Sequence, residues 1–467
     1  MAKGKTEARA WVDENYEDLR NVAREIWERP EVELEEEFAS GLQANVLERA
    51  GFDVTRGLAG LPTAFVAEAG SGEPTIGILG EYDALPGLSQ KVRAEEEPLE
   101  EGGAGHGCGH NLLGTAGVGA AIAVKRVLDA GTGSGTVRYY GCPAEETLLG
   151  KVLLAKDGAF DDLDAALTWH PMNTNAPWMA ESLAMNSVQF NFEGTSAHAS
   201  AAPERGRSAL DAVELMNTGA NYLREHVPDP VRLHYSIVER GGKPNIVPKE
   251  AAVWYYVRAP SRQRVESVTE RLEKVAEGAA TMTETTVETE YRAGCYDTLP
   301  NGVLGSTILE NMQEIGEVGF SEEEYELARG LRRTVDDVEE AMSRQGVPDD
   351  IIETELHGTP VDEIYDEGEQ FPASTDVGDV SWNVPLGQFT AAAWPIGVSA
   401  HSWQSTAASG SEIGYKAMRF ASKVLASTAI DLFRDETILE NATREFEAAS
   451  EGSDYTSPLP EDFVSPT

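Results

Sequence analysis

The sequence predicts an α/β protein: a domain built on a mostly parallel sheet, interrupted by an inserted ferredoxin-like α+β domain. Three observations predict it. The chain has 467 residues, too many for one ordinary core, so two domains are the natural expectation. Before about residue 185, and again after about 295, short apolar runs alternate with stretches of helical spacing, the pattern of strands joined through crossover helices. Between them the order becomes strand, helix, strand, strand, helix, strand, which is the ferredoxin-like order. The expected division is 1–185 for the first part of the larger domain, 186–295 for the insertion and 296–467 for the second part.

The elements follow in turn. Val12, Tyr16, Leu19, Ala23 and Ile26 recur at helical spacing and stop before Pro30. A second helix is expected over 35–50, with Gly51 closing it. Strand-like runs at 64–67 and 75–79 come next, then an Ala-rich helix over 115–128, a strand at 136–140, a helix at 149–156 and a strand at 165–169. The insertion shows strands at 188–192, 232–238, 252–258 and 286–291, with helices at 209–223 and 265–276. Beyond it lie an acidic helical segment over 322–345, a loop to 374, a strand at 389–396 and a closing helix over 414–427. Residues from 451 onward are acidic and proline-containing and are expected to fray. The segment 322–370 carries no role that its residues suggest.

Composition narrows the function classes. Acidic residues number 80 against 37 basic ones, a net charge of -43. Such a surface repels nucleic acid and anionic membranes, so neither is expected as a partner. The charge is spread in short runs, as at Glu35-Glu36-Glu37 and Glu322-Glu323-Glu324, each read as a solvated face. Together the runs suit a halophilic, salt-rich cytoplasm in which self-repulsion is screened. No apolar run reaches the roughly 18 to 20 residues that span a bilayer, and the basic start Met1-Ala2-Lys3-Gly4-Lys5 has no apolar signal core. Three cysteines make no disulfide framework. A reducing cytoplasm fits that count and would keep a ligand thiolate available.

The chemistry centres on Cys108-Gly109-His110-Asn111, bracketed by glycines. A thiolate and an imidazole two residues apart on such a turn can converge on one metal ion, and a glycine-rich electropositive turn beside a cation favours the thiolate. Alone, a buried Cys next to a structural His is the more ordinary explanation. Glu145-Glu146, His170 and His401 change that balance, because each follows an apolar run at a strand exit. Ligands in open α/β sheets bind beyond those carboxyl ends. Adjacent carboxylates at a strand exit diverge, so one suits the metal and the other the proton of a water whose pKa the metal lowers. Asp83 suits orienting a ligand His or the active water. His198 lies within the insertion and would have to reach a cleft across domains or subunits, where it could donate to a developing oxyanion. His106 is ambiguous.

Together these segments resemble the aminoacylase/carboxypeptidase family of two-metal amidohydrolases, in the branch with aminobenzoyl-glutamate hydrolase of the B-subunit type and the auxin-amide hydrolases. The resemblance covers nearly the whole chain. It is carried by the runs 81–88, 108–111, 144–146, 168–171, 196–199, 206–210, 245–248, 374–380 and 399–403. It implies two divalent ions per subunit, manganese or zinc with cobalt or nickel as further candidates, Cys108 bridging them, and His110, Glu146, His170 and His401 completing the set. Glu145 becomes the general base. His198 reaches the partner subunit's cleft, which implies a homodimer through the insertion, with a hetero-oligomer the alternative. Asn245 and Arg258 match substrate-contacting positions, and an Arg fork suits a substrate carboxylate.

Two departures from the family pattern stand out. Most of the wider family has a His ligand where Glu81 stands, so His110 takes over that position. Asn111 replaces the Asp of many relatives of this branch. The implied reaction is hydrolysis of the amide bond of an N-acyl or N-aroyl amino acid such as p-aminobenzoyl-glutamate. The rivals are a dipeptidase, an N-acetyl amino acid deacetylase, and a catalytically silent metal-retaining subunit. The intact Glu145 speaks against the last.

Overall fold

The structure is a computed structural model and describes residues 2–131, 134–450 and 455–465. Among these residues, strands β1 (Asp53–Arg56), β2 (Phe65–Ser71), β3 (Thr75–Glu81), β4 (Gly135–Cys142), β5 (Ala165–Met172) and β6 (Ala176–Pro177) come first. Then follow β7 (Ala184–Glu193), β8 (Arg232–Glu239), β9 (Glu250–Ala259), β10 (Thr286–Cys295) and, far beyond, β11 (Leu386–Ala392).

The larger sheet runs β1-β2-β4-β3-β5-β11-β6. Its central strands β4, β3, β5 and β11 are parallel. β1, β2 and β6 are antiparallel additions towards the edges. Parallel strands are covered on both faces and therefore read as unbroken apolar runs; every position of β3 is buried. The edge strands β1 and β6, four and two residues long, carry no such pattern and escape a sequence reading.

One face of this sheet is covered by the helices His110–Asp129 and Glu412–Arg434, which also pack on each other. The first is apolar nearly all round because 83% of its most apolar window is buried within the protein. It begins at His110, earlier than the apolar pattern suggests. Gly109, at φ 74, turns the chain immediately before it, and His110 and Asn111 are polar first-turn residues that hydropathy cannot assign.

The insertion is a four-stranded antiparallel sheet, β10-β7-β9-β8. Helices Ala209–Leu223 and Arg262–Thr283 pack against it. Val188, Phe190, Val253, Tyr255 and Val257 form its core with them, while the alternate residues Ser187, Trp254, Tyr256 and Arg258 face a cleft. Strand alternation thus divides the sheet into a packing face and a working face.

Several expectations need correction. The N-terminal helix is two helices, Ala2–Glu14 and Tyr16–Glu28, parted at Asn15, whose side-chain amide turns back to donate to the Trp11 carbonyl at 2.8 Å. The acidic segment is also divided, into Glu322–Arg332, Val338–Ser343 and Asp349–Ile352, with Asp337 at φ 53 before the second. β11 ends at Ala392, and the closing helix extends over Glu412–Arg434 before a further one, Glu436–Ala449. The C-terminal residues 455–465 do not fray. Tyr455 donates its hydroxyl hydrogen to Asp379 at 2.8 Å, Tyr296 donates to the Thr456 carbonyl at 3.0 Å, and Leu459 is buried.

Phe190 is fully buried between the insertion's sheet and helices. Phe190→Ala is expected to cost about 3–5 kcal/mol, read as a lowered urea midpoint of a far-UV circular dichroism transition.

Candidate active site

Because β4, β3, β5 and β11 are parallel, their carboxyl ends open on one edge of the sheet. β3 delivers Glu81 and, two residues on, Asp83. β4 leads to Glu145 and Glu146, β5 carries His170, and the loop after β11 carries His401. A long loop returns the chain so that Cys108 arrives just before the helix that starts at His110. The His401 amide donates to the Gly107 carbonyl at 2.9 Å, tying two of these loops together. Glu81, Cys108, Glu145, Glu146, His170 and His401 border a cleft of about 930 Å³ whose other wall is the working face of the insertion.

Two sets of donors share Cys108: one with His110 and His170, the other with Glu146 and His401, each with its ligand atoms within 4.8 Å of one another. Cys108 Sγ lies 3.4 Å from His170 Nε2, and His401 Nε2 lies 3.2 Å from Glu146 Oε2. Ligands about 2.0–2.3 Å from one ion are separated by distances of this size. The buried polar atoms point the same way: Glu81 Oε2 and His110 Nε2 face each other at 3.1 Å, and neither they nor Glu146 Oε1 has a hydrogen bond. These residues fit a metal centre.

The imidazoles are set for that task by what holds their other nitrogen. His110 Nδ1 is 2.8 Å from Asp83 Oδ1, and His170 Nδ1 is 2.8 Å from the Pro171 carbonyl. A carbonyl can only accept, so Nδ1 of His170 bears the hydrogen and Nε2 keeps its lone pair for the cleft. Asp83 asks the same of His110. Its second oxygen accepts the Glu146 amide at 2.9 Å, so one buried carboxylate aligns a ligand on each side of the site.

The site holds surplus negative charge. Burial raises the Glu145 carboxyl well above its ordinary range, and Glu81, Asp376 and Glu146 raise it further. Burial works against a charge on His110, yet Cys108, Asp83 and Glu81 outweigh it and lift its pKa well above the usual value. Burial, then Glu146, pushes the Cys108 thiol up. This corrects the expectation of an electropositive turn: the glycine-rich loop sits among carboxylates, so the thiolate depends on a bound cation.

Comparison with known proteins gives the family. The peptidase dimerisation domain family (M20 dimer) matches residues 183–281. The B subunit of p-aminobenzoyl-glutamate hydrolase from Escherichia coli K12 is 39% identical over 97% of this chain and 97% of its own length. The chain belongs to the M20 family. Mouse Xaa-Arg dipeptidase is 32% identical over 93% of this chain and 90% of its own. Among solved structures, a dinuclear metal-binding M20 peptidase from Bacillus subtilis superposes with TM-score 0.57 at 17% identity, covering 90% of this chain and 99% of the other. An aminobenzoyl-glutamate utilization protein from Klebsiella pneumoniae does so with TM-score 0.61 at 16% identity, covering 91% and 98%. These last two show the fold.

In this M20 hydrolase the structure brings together Asp83, Cys108, His110, Glu145, Glu146, His170 and His401. Arg258 lies across the cleft from them. His198 and Asn245 are exposed and stand outside the cleft of their own chain. They are neighbours, the Ala199 amide donating to the Asn245 carbonyl at 3.0 Å. His106 is structural: its Nε2 donates to the Ile26 carbonyl at 3.2 Å, and burial lowers its pKa to about 3.

Three charged residues escape a reading of the sequence. Lys151 is fully buried, with Nζ 2.7 Å from Glu81 Oε1 and 2.6 Å from Asp376 Oδ1. It holds Glu81 as an anion beside His110. Asp376 lies in one of the runs that carry the family resemblance but has no role of its own there, and a Lys after Leu149-Gly150 gives no signal. Glu36 is the third. It belongs to a run that reads as solvated, yet it is buried and accepts the Ala144 amide at 2.8 Å and the Thr63 hydroxyl at 3.1 Å. It thereby holds Ala144, at the left-handed φ of 55, in the turn that aims Glu145. Gln345, from the segment without an assigned role, and Phe371, just beyond it, line the cleft.

Burial, then Asp83, raises the Glu36 pKa to about 7. A carboxyl whose folded pKa lies above its unfolded value stabilises the fold most below pH 4.5 and loses that contribution as pH rises through 7. The wild type is expected to lose on the order of 2 kcal/mol more unfolding free energy than Glu36→Gln between pH 4.5 and 8. Urea titrations of both proteins at the two pH values read the difference.

Proposed function

We propose that this M20 hydrolase cleaves the amide bond between an acyl or aroyl group and an amino acid, with p-aminobenzoyl-glutamate the first substrate to try. The observation that carries the reading is Glu145, its pKa raised, beside two donor sets that share Cys108 at the floor of a wide cleft. Cys108, His110, His170, Glu146 and His401 would hold two divalent ions; manganese and zinc suit these donors, as do cobalt and nickel. Such ions, when bound, lower the pKa of a water and polarise the amide carbonyl.

Glu145 then takes a proton from the attacking water and returns it to the departing amine, a role favoured by a carboxyl whose pKa is raised. Trp178, in edge contact with both His170 and Phe371, offers an aromatic wall beside the donors for an aroyl group. Arg258, with no ion pair among the described residues, offers its fork to the amino acid's carboxylate. The 32% identity with a dipeptidase supports a dipeptide substrate as the second reading. An arginine-lined wall disfavours the basic side chain of that relative's named substrate.

The partner is proposed to be a second copy, seated on the edge strand β8, where Tyr235, Ile237 and Val238 are exposed. His198 and Asn245, idle in their own chain, would complete the partner's cleft, with His198 donating to the oxyanion. The name of the Escherichia coli relative makes a second, different subunit the other arrangement. The surplus of acidic residues suits a salt-rich cytoplasm.

Glu145→Gln is expected to lower kcat on p-aminobenzoyl-glutamate by about 10²–10⁴-fold while metal content, measured by mass spectrometry, stays the same. Chelation should abolish turnover and manganese or zinc restore it. Equal turnover by wild type and variant would remove this mechanism. Mixing His198→Ala and Glu145→Gln proteins, each inactive, should restore activity, because one cleft of each mixed dimer is intact. No recovery after subunit exchange would show that His198 does not serve the partner's cleft.

A further inference from the structure

The insertion turns an additional cation into the cleft, one that strand alternation alone would have hidden. On β9, Trp254, Tyr256 and Arg258 face the cleft. On β7 their partners are Gln189, Ser187 and Met185. On β10, Ala293 pairs with Ser187 and so shares that face. Regular alternation from Ala293 would put Tyr291 in the cleft and Arg292 among the helices. The register shifts between Tyr291 and Ala293, leaving Arg292 as the extra residue of a bulge, so that Arg292 lines the cleft together with Tyr291 and Ala293. Tyr291 pairs with Val188 and its hydroxyl donates to Glu273, on the helix side, at 3.0 Å. Arg292 lines the cleft with its guanidinium 5.1 Å from the Trp254 ring centre. Bulges re-aim side chains in this way beside functional sites.

We propose that Arg292 is a specificity-determining residue that selects substrates whose amino-acid side chain carries a second carboxylate, a proposal that rests on the amidohydrolase reading of the same cleft. Arg258 and Arg292 are two guanidinium groups on one wall, opposite the donors that suit cations. Arg292 Nε is buried without a hydrogen-bond partner. Its nearest carboxylate, Glu290, is 3.8 Å away, and accepts from Asn191 Nδ2 at 3.2 Å through its other oxygen. Among the described residues, the Arg258 guanidinium has one hydrogen bond, to the Ser374 hydroxyl at 3.4 Å. In a chain with 80 acidic residues, two arginines in one cleft with a single carboxylate, Glu290, at 3.8 Å from one of them keep donors for anions. Trp254 and Tyr256, with those guanidiniums over their rings, hold the forks in place. The amino acid's own carboxylate takes Arg258 and its side-chain carboxylate takes Arg292, each by charge-assisted hydrogen bonds.

The test compares N-(4-aminobenzoyl) conjugates of L-glutamate and L-norvaline, of similar length with and without the second charge. The wild type is expected to prefer glutamate in kcat/KM. Arg292→Gln should reduce that preference about 10- to 100-fold, and Arg292→Lys, which keeps the charge, should retain part of it. Equal loss on both conjugates, or a wild type without preference, overturns the proposal and leaves the amidohydrolase reading intact. A wild type that hydrolyses neither conjugate overturns that reading instead. Calorimetric binding of both conjugates to metal-loaded Glu145→Gln protein, with and without Arg292→Gln, then decides the role of Arg292. Tighter binding of the glutamate conjugate that vanishes with Arg292 supports it, and indifference to Arg292 sinks it.

Discussion

The Asp83 carboxylate is the joint on which the site turns. One oxygen faces His110 Nδ1 at 2.8 Å and the other accepts the Glu146 amide at 2.9 Å. These two ligand residues come from different parts of the chain, a helix start and a strand exit, and a single buried carboxylate sets both. It selects the His110 tautomer that leaves Nε2 free, and it fixes the backbone from which the Glu146 side chain projects. An imidazole with the wrong nitrogen protonated cannot ligate, so the second contact of each ligand matters as much as the first.

Charge explains why the arrangement is incomplete as protein alone. Glu81, Glu146 and Asp376 crowd around Glu145, and Lys151 is the buried ammonium among them. Lys151 satisfies one oxygen each of Glu81 and Asp376, while Glu81 Oε2 faces His110 Nε2 at 3.1 Å and Glu146 Oε1 is buried without a hydrogen bond. Buried anions without partners are costly. The protein relieves that cost by raising carboxyl and thiol pKa values, or by taking up cations and releasing those protons. The same imbalance that raises the Glu145 pKa would therefore favour cations at its neighbours.

Legibility followed the kind of signal each element carries. The central parallel strands were readable because burial on both faces makes them continuous apolar runs, and the ligand residues were readable because they sit at the exits of those runs. Short edge strands and the first turn of the helix at His110 were not, since pairing and a left-handed Gly109 place them rather than hydropathy. Lys151 and Glu36 were hidden for a related reason. A charged residue reads as solvated unless its partners, Asp376 and Ala144, are known to lie beside it, and these are 225 and 108 positions away. Arg292 was out of reach in yet another way: a bulge changes which face a side chain takes, and period-2 reasoning assigns it to the wrong one.

The insertion's sheet is where the proposed substrate reading and the proposed assembly would meet. Its packing face is filled by two helices and its other face borders the cleft, so the edge at β8 and the loops around His198 are what remain for a partner. β9 is paired with β7 on one side and β8 on the other, and it carries Trp254, Tyr256 and Arg258. Arg232, His234 and Ser236 of β8 stand directly opposite Arg258, Tyr256 and Trp254. A partner seated on β8 would stiffen the strand next to the one that reads the substrate, while delivering His198 and Asn245 to the other cleft. Association and specificity would then share one hydrogen-bonded ladder, and a change at the exposed edge would reach the substrate-binding wall by way of a single intervening strand.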